Sequence, residues 1–481
     1  MSVVALTALG STVQATPNRM SPLRAEMSSQ LRLAGPVVLA QLGMMAMSLV
    51  DTLMVGHIDG ALGDADVALA AVTMGHVLFF TGGSFALGTL MSLDPLISQA
   101  LGARDEQAEA LAVQRGFVMA LALSILVAIP LLWAEELLTL LRQPSEAVPT
   151  ATGYVNTLLP SLPFFLLYGV LRQTLQAKHL MRPILITTLV ANLGNVVFNW
   201  ALIFGHGGFP AMGAVGSGWA TSLSRTLMFA GVAILAWPAI GPALRPWRSD
   251  AFAFRPLLRM LRLGIPVGFQ HSLEFGAFAL VALVMGTLGK LEQAAHAVAI
   301  NVASLSFMVP LGISAAAAVR VGRNVGRGDS VGVRRSAVVS MALGVGAMAC
   351  SGLLFVSIPE TITRAYTDDA DVYRLAAVLL PLAGAFQLFD GAQVVALGCL
   401  RGVGDTFVPM LINLLGYWGV GLPVGYWLTY EARVGATGPW WGLVAGLGVV
   451  ALVLSVRTRA RLSGDLSRIE IDRPVVEGSS L

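Results

Sequence analysis

Residues 31–37 read LRLAGPV, and residues 261–267 read LRLGIPV, 230 positions further on. The match is not isolated. ISQALGARD at 97–105 is answered by GRNVGRGD at 322–329, setting Gly102 against Gly326 and Asp105 against Asp329 at an offset of 224. GVLRQTLQAKHLMRPIL at 169–185 aligns with VALGCLRGVGDTFVPML at 395–411, an offset of 226. Three matches at nearly one spacing mean that the chain of 481 residues is built twice from one unit.

What that unit is follows from composition. Apolar residues make up 56% of the chain and charged residues 12%, against about a quarter charged in a soluble domain. A soluble core of this size needs a far more polar coat, so the chain is an integral membrane protein. Crossing a bilayer takes about 20 apolar residues in a helix. That length fits near 33–56, 66–90, 112–133, 152–176, 183–204, 213–239, 261–288, 295–318, 334–357, 373–399, 407–429 and 437–456. The fold class is therefore all-α, with twelve transmembrane helices in two pseudo-symmetric six-helix lobes. Six is even, so both halves insert with the same orientation, as a parallel repeat. The expected parts are a leader at 1–30, lobes at 31–239 and 261–456, a basic linker at 240–260 and a polar, disordered tail at 457–481.

Charge placement supports this count. Arginines crowd one set of connections: Arg104 and Arg115, then Arg245 to Arg262, then Arg320 to Arg335, with Arg457, Arg459 and Arg461 opening the tail. The alternate set is acidic in HIDGALGDAD, WAEELL and YTDDADVY. The positive-inside rule then puts both termini in the cytoplasm. The leader has no basic residue before Arg19 and so lacks the charged start of a signal peptide. Two like-oriented lobes suggest a cavity between them, reached from alternate sides as they rock.

Ionisable residues inside spans are costly and point to function. Glu274 lies among apolar and small neighbours in LEFGAFALVALV, with His271 three residues before it on the same helical face. Asp390 interrupts FQLFDGAQVVALGCL at 386–400, with Gln387 and Gln393 one turn to either side. Each acid is read either as a neutral carboxyl in a packed interface or as a coupling site that a proton or Na⁺ neutralises. Asp51 falls near the outer end of the first span, as an interfacial cap or as a ligand. Asn195 and Asn199 share a helix face; they join helices or, with Asp51 and Thr221, offer oxygens to a cation. Asp94 precedes Pro95 and reads as a cap or bend. His76 and His296 read as packed core, and Arg225 must face a cavity or a partner. Phe386, Gln387, His271, Phe275 and methionines such as Met285 are candidates to line the cavity, although most such apolar residues serve as core. Cys350 and Cys399 fit no metal or disulfide spacing. There is no phosphate-binding loop, no cofactor motif and no nucleic-acid signature, so transport is expected to run on an ion gradient.

The motifs VDTLMVGHI, NVVFNWALIFG, LGIPVG followed by Glu274, AAAAVRVGRNVGRGD and FDGAQVVALGCLRGVGD together resemble the multidrug and toxic compound extrusion (MATE) transporters, in their NorM-like bacterial branch. The resemblance implies Na⁺- or H⁺-coupled export of amphipathic, often cationic compounds across the bacterial inner membrane, and a monomer is expected because the internal repeat already supplies the two-fold partner. It assigns coupling to Glu274 and Asp390, where Na⁺ or H⁺ would bind, and a second cation site to Asp51 with Asn195, Asn199 and Thr221. Some members carry a tyrosine one turn before the span-ten acid; this chain has Phe386, and the phenol is missing there. Three other readings compete. A flippase for a lipid-linked saccharide needs several cationic side chains in the cavity, and only Arg225 is clearly inside a span. An intramembrane enzyme could pair Glu274 with His271 but has no nucleophile motif. A channel lacks a filter-like repeat.

Overall fold

The computed structural model describes residues 22–58, 64–464 and 466–472, and residues 1–21 of the expected leader and 473–481 of the expected tail lie outside them. Every described element is a helix, because a backbone in hydrocarbon has only its own carbonyls to bond. The first half comprises α1 (Pro22–Val55), α2 (Ala65–Leu90), α3 (Leu93–Ala103), α4 (Glu106–Leu131), α5 (Ala134–Leu140), α6 (Val148–Leu158), α7 (Leu162–Ala177), α8 (Arg182–Phe204), α9 (Gly213–Leu235) and α10 (Trp237–Leu244). The second comprises α11 (Phe254–Leu288), α12 (Lys290–Gly326), α13 (Ser330–Ser357), α14 (Pro359–Arg364), α15 (Ala370–Gly402), α16 (Phe407–Leu414), α17 (Leu422–Tyr426) and α18 (Thr437–Ser463).

Eleven segments among the described residues are long and apolar enough to cross a membrane alone, and α9 with α10 makes the twelfth as a pair bent by 85°. The sixth span therefore ends at Leu235, four residues before the boundary expected from sequence. Pro238 starts the new helix direction, since a proline is accommodated in the first turn of a helix and not in its interior.

The repeated loop motif has a local cause. Asp105 and Asp329 cap the helices that follow them: Asp105 Oδ1 accepts from the Ala108 amide at 2.9 Å, and Asp329 Oδ1 from the Gly332 amide at 2.8 Å. The residue before each cap is left-handed, Arg104 at φ 58° and Gly328 at φ 69°. One turn-and-cap device thus starts α4 and α13.

The lobes join by exchange. α1 packs along α12, and its repeat partner α11 packs along α2. At the arginine-rich end, α3 crosses α12 with almost no separation. A Cβ on Gly102 would meet the Arg323 carbonyl at 2.1 Å, and one on Gly326 would meet the Gln99 carbonyl at 2.0 Å. The paired glycines of the repeat are thus the crossing point of the two halves. Asp94 and Arg401 form an ion pair across the same seam at 3.1 Å, and Gln99 Nε2 donates to the Gly402 carbonyl at 2.9 Å. Phe85 on Phe269 (5.3 Å between ring centres) and Phe80 on Phe275 (5.8 Å) continue the contact toward mid-membrane.

Two expectations about the termini are corrected. Residues 22–30 are not leader but the first turns of α1, and they bind the second half: Gln30 Nε2 donates to Ser340 Oγ at 2.7 Å, and Glu26 pairs with Arg320 and accepts from Ser336 Oγ. Residues 466–472 of the tail are docked, not disordered. Arg468 pairs with Asp105 at 2.8 Å, the Ile469 amide donates to Gln99 Oε1 at 2.8 Å, and Asp472 receives Arg115 through two nitrogens. The Ala108 amide, helped by Arg468, holds the Asp105 carboxyl below the usual carboxylate range. Polarity suggested disorder, but Arg468 has its complement in Asp105 and Asp472 in Arg115 of α4.

Because backbone and not a flexible side chain opposes a Cβ at the seam, Gly102→Val is expected to cost about 1–3 kcal/mol of the closed arrangement. Spin labels at Gln107 and Ser330 would show a longer, broader distance distribution than in the parent protein. An unchanged distribution would mean that α3 and α12 slide apart freely.

Candidate functional site

In the first half, one acid gathers three donors. Asp51, near the end of α1, is buried. Asn195 and Asn199 project from one face of α8, four residues apart, and donate to Asp51 Oδ1 at 3.0 and 2.7 Å. Thr221 on α9 donates to Oδ2 at 2.5 Å. One turn beyond Thr221, the Arg225 guanidinium lies 4.5 Å from the Phe79 ring centre and 4.7 Å from that of Phe165, with Nη1 3.4 Å from Ser161 Oγ. Asp51 is therefore an interior group and not an interfacial cap. Hydrogen bonds reach both of its oxygens, as burial of a polar group requires.

The second half is arranged differently. Glu274 on α11 receives a hydrogen bond from the Tyr417 hydroxyl at 3.3 Å. The same hydroxyl lies 2.9 Å from Gln393 Nε2 and 3.2 Å from Gln393 Oε1, on α15. Asp390, one turn before Gln393, is buried, and its Oδ1 has no hydrogen-bond partner among the described residues. Both acids lie within electrostatic range of Tyr417. Gln387 Nε2 donates to Ser306 Oγ, while its Oε1 is also buried and unpaired. An aromatic shell closes over this cluster: Phe386 lies 6.5 Å from Phe278 and 5.9 Å from Trp440, and Phe278 lies 6.2 Å from Tyr417.

Several predicted roles change. Phe386 is 3% exposed and Gln387 0%, so they line the second half's own interior and not an open cavity between lobes. Asp390 likewise is enclosed, because α15 is packed by α12, α13 and α18. Phe275 stacks on Phe80 of the other half and belongs to the wall between the halves. His271 directs Nδ1 to the Val267 carbonyl at 3.2 Å, and no hydrogen bond joins it to Glu274 among the described residues. Asp94 is no cap; it is the acid of the interlobe ion pair. Tyr417 was missed altogether. Its signal was a hydroxyl in the apolar run LGYWGVG at 415–421, and it restores a phenol beside Glu274 from a different span than position 386.

Among the described residues no three His, Cys, Asp or Glu side chains converge as a multivalent metal site. The second half instead gathers neutral and acidic oxygens, from Glu274, Asp390, Gln387, Gln393 and Tyr417, which suit a proton or a hard monovalent cation.

A family model described as MatE matches this chain over residues 36–201 and again over 266–427. The two matched stretches start 230 residues apart, the offset of the LRLAGPV repeat. The chain is 40% identical over 449 residues to a probable multidrug resistance protein NorM of Mesorhizobium japonicum, covering 90% of this chain and 94% of that one. It is 38% identical over 442 residues to the multidrug resistance protein NorM of Burkholderia vietnamiensis, covering 90% and 93%. Its fold is similar to the eukaryotic MATE transporter AtDTX14 (TM-score 0.81, 21% identity, 92% of this chain and 99% of that one). A multidrug resistance MATE family transporter in an outward-facing conformation also superposes on it (TM-score 0.82, 18% identity, 91% and 96%).

Thr221→Val keeps the shape of the side chain but strips the one donor to Asp51 Oδ2 among the described residues, leaving a buried oxygen unsatisfied. The expected loss is about 1–3 kcal/mol, seen as a lower unfolding midpoint in detergent. A midpoint equal to that of the parent would show that Asp51 is satisfied without Thr221.

Proposed function

This chain belongs to the MatE family of multidrug efflux transporters, and from that premise we propose that it exports amphipathic, often cationic compounds by alternating access, driven by Na⁺ or H⁺ entering at Glu274 and Asp390. One observation carries the reading. Other acids buried in the spans have donors or a cation: Asp51 three donors, Asp94 Arg401, Glu26 Arg320, Glu109 Lys178. Asp390 Oδ1 has no partner, half-buried Glu274 has the Tyr417 hydroxyl as donor, and neither acid has an ion pair among the described residues; an under-compensated carboxylate inside a span draws a cation or a proton. The site is thus incomplete until a positive charge arrives.

Direction follows from where the halves meet. The arginine-rich end is the cytoplasmic one by the positive-inside rule, and the seam of Gly102, Gly326, Asp94 and Arg401 closes the protein there. In this arrangement the coupling ion enters from outside, and each charge moving inward down the membrane potential yields about 2.3 kcal/mol per 100 mV. A saccharide flippase would need free cations for its pyrophosphate, whereas Arg225 is held between Phe79 and Phe165.

The test is ethidium efflux from proteoliposomes under an imposed Na⁺ or H⁺ gradient. One gradient should drive wild-type export and so name the ion, while Glu274→Gln and Asp390→Asn, reconstituted at equal density, should each lose about tenfold or more of the driven rate. Wild-type rates in both variants would make these acids structural and the reading wrong.

A further inference from the structure

A hydroxyl carries one proton, and that of Tyr417 has two carbonyl-type acceptors in reach: Glu274 Oε1 at 3.3 Å and Gln393 Oε1 at 3.2 Å. The residue is 1% exposed, so it is shielded from bulk solvent. It can donate to one acceptor at a time. Glu274 belongs to α11, Gln393 to α15. The hydroxyl is therefore a junction between two helices, one bearing each acid of the pair.

Its placement is built into the backbone. Residues Leu415–Gly421 form a π-helical turn, a wide turn that recurs at functional sites. Here it turns neighbouring side chains toward α11 together: Tyr417 reaches Glu274, and Trp418 Nε1 donates to the carbonyl of Leu273 at 3.1 Å. The turn is pinned from behind by α18, where a Cβ on Gly416 would strike Val450 at 2.0 Å and one on Gly421 would lie 3.2 Å from the Gly442 carbonyl. The carboxylate that the hydroxyl touches is Glu274 from α11, and Asp390 lies one turn from Gln393 on α15.

We propose that Tyr417 is a positioning residue that passes the charge state of Glu274 to α15 by redirecting its single proton. The proposal rests on Glu274 taking the coupling ion. While Glu274 is ionised, the hydroxyl donates to it and accepts from Gln393 Nε2. When H⁺ or Na⁺ neutralises the carboxylate, its pull on the proton falls. The hydroxyl then donates to Gln393 Oε1, and a protonated Glu274 donates to the phenol oxygen in turn. No covalent bond changes; the hydrogen-bond chain reverses. Gln393 lies one turn from Asp390, and the same helix ends in Arg401, the partner of Asp94 in the seam. Neutralisation in one helix is thereby reported to the helix that holds the lobes together.

The readout is thermodynamic coupling, which mere packing does not carry. Ethidium affinity of the full-length protein in nanodiscs is measured with and without saturating Na⁺, and at acid and alkaline pH. In wild type, the coupling ion should change the ethidium Kd by a factor in the usual allosteric range of about 5–150. Tyr417→Phe keeps the ring against Phe278; it should reduce that factor to about twofold or less while retaining ion binding, followed by radiolabelled Na⁺ or by proton release. Gln393→Leu removes the other acceptor and should reduce the factor similarly, which decides the matter if the Tyr417 variant does not fold. A wild-type factor in either folded variant overturns the proposal. Complete loss of ion binding in Tyr417→Phe also overturns it, because Tyr417 would then be a ligand and not a relay. Glu274→Gln separates the premise: if it keeps the full ion effect, the assignment of Glu274 fails, whereas if it loses the effect and Tyr417→Phe keeps it, only the relay fails.

Discussion

A carboxylate inside a bilayer has no water to satisfy it, and the protein must supply donors, a cation or a proton. The architecture reflects this demand repeatedly. Glu26 draws Arg320 to the start of α1, Glu109 draws Lys178, and Asp94 draws Arg401 across the seam. Asp51 is answered by amides and a hydroxyl from α8 and α9, which ties three helices of the first half into one rigid group. Against that background the pair Glu274 and Asp390 is exceptional. The fold brings buried Asp390 and half-buried Glu274 into one cluster with Tyr417 and Gln393, and neither acid has an ion pair among the described residues.

The two halves share a scaffold and not a site. Their caps at Asp105 and Asp329, their left-handed turns and their crossing glycines repeat. The acids do not. At the repeat offsets, Glu274 corresponds to Met44, Asp390 to Phe164 and Asp51 to Val281. Symmetry is kept where the halves meet, in matched surfaces at the seam. The polar chemistry differs between the halves: both Asp51 oxygens accept hydrogen bonds, whereas Asp390 Oδ1 has no partner among the described residues.

A single helix connects chemistry with movement. From Asp390 to Arg401 is eleven residues along α15, about 16 Å of continuous helix. One end lies in the acid cluster and the other in the interlobe ion pair. A small displacement of α15 therefore acts directly on the seam, and the docked segment 466–472, bonded to Gln99 and Asp105, spans the same joint.

Hydropathy, the double motif and the spacing of arginines were enough to read a two-lobed helical membrane protein, because lipid imposes helices and their length whatever the neighbours do. Asp51, Asn195, Asn199 and Thr221 could also be grouped from the sequence, since polar residues in apolar helices must find each other. Tyr417 could not be placed that way: its reach to Glu274 depends on a π turn whose register no local pattern displays. Asp94 looked like a cap until Arg401, 307 residues away, was found opposite it. Phe386 and Gln387 looked like cavity lining, and the tail looked disordered, because polarity along the chain does not say which surfaces meet. The sequence alone determined the solvent of this protein, its helices and its duplication, which are consequences of local composition. Only the tertiary structure decided which carboxylates meet donors or an ion-pair partner and which do not, because compensation depends on distances between helices.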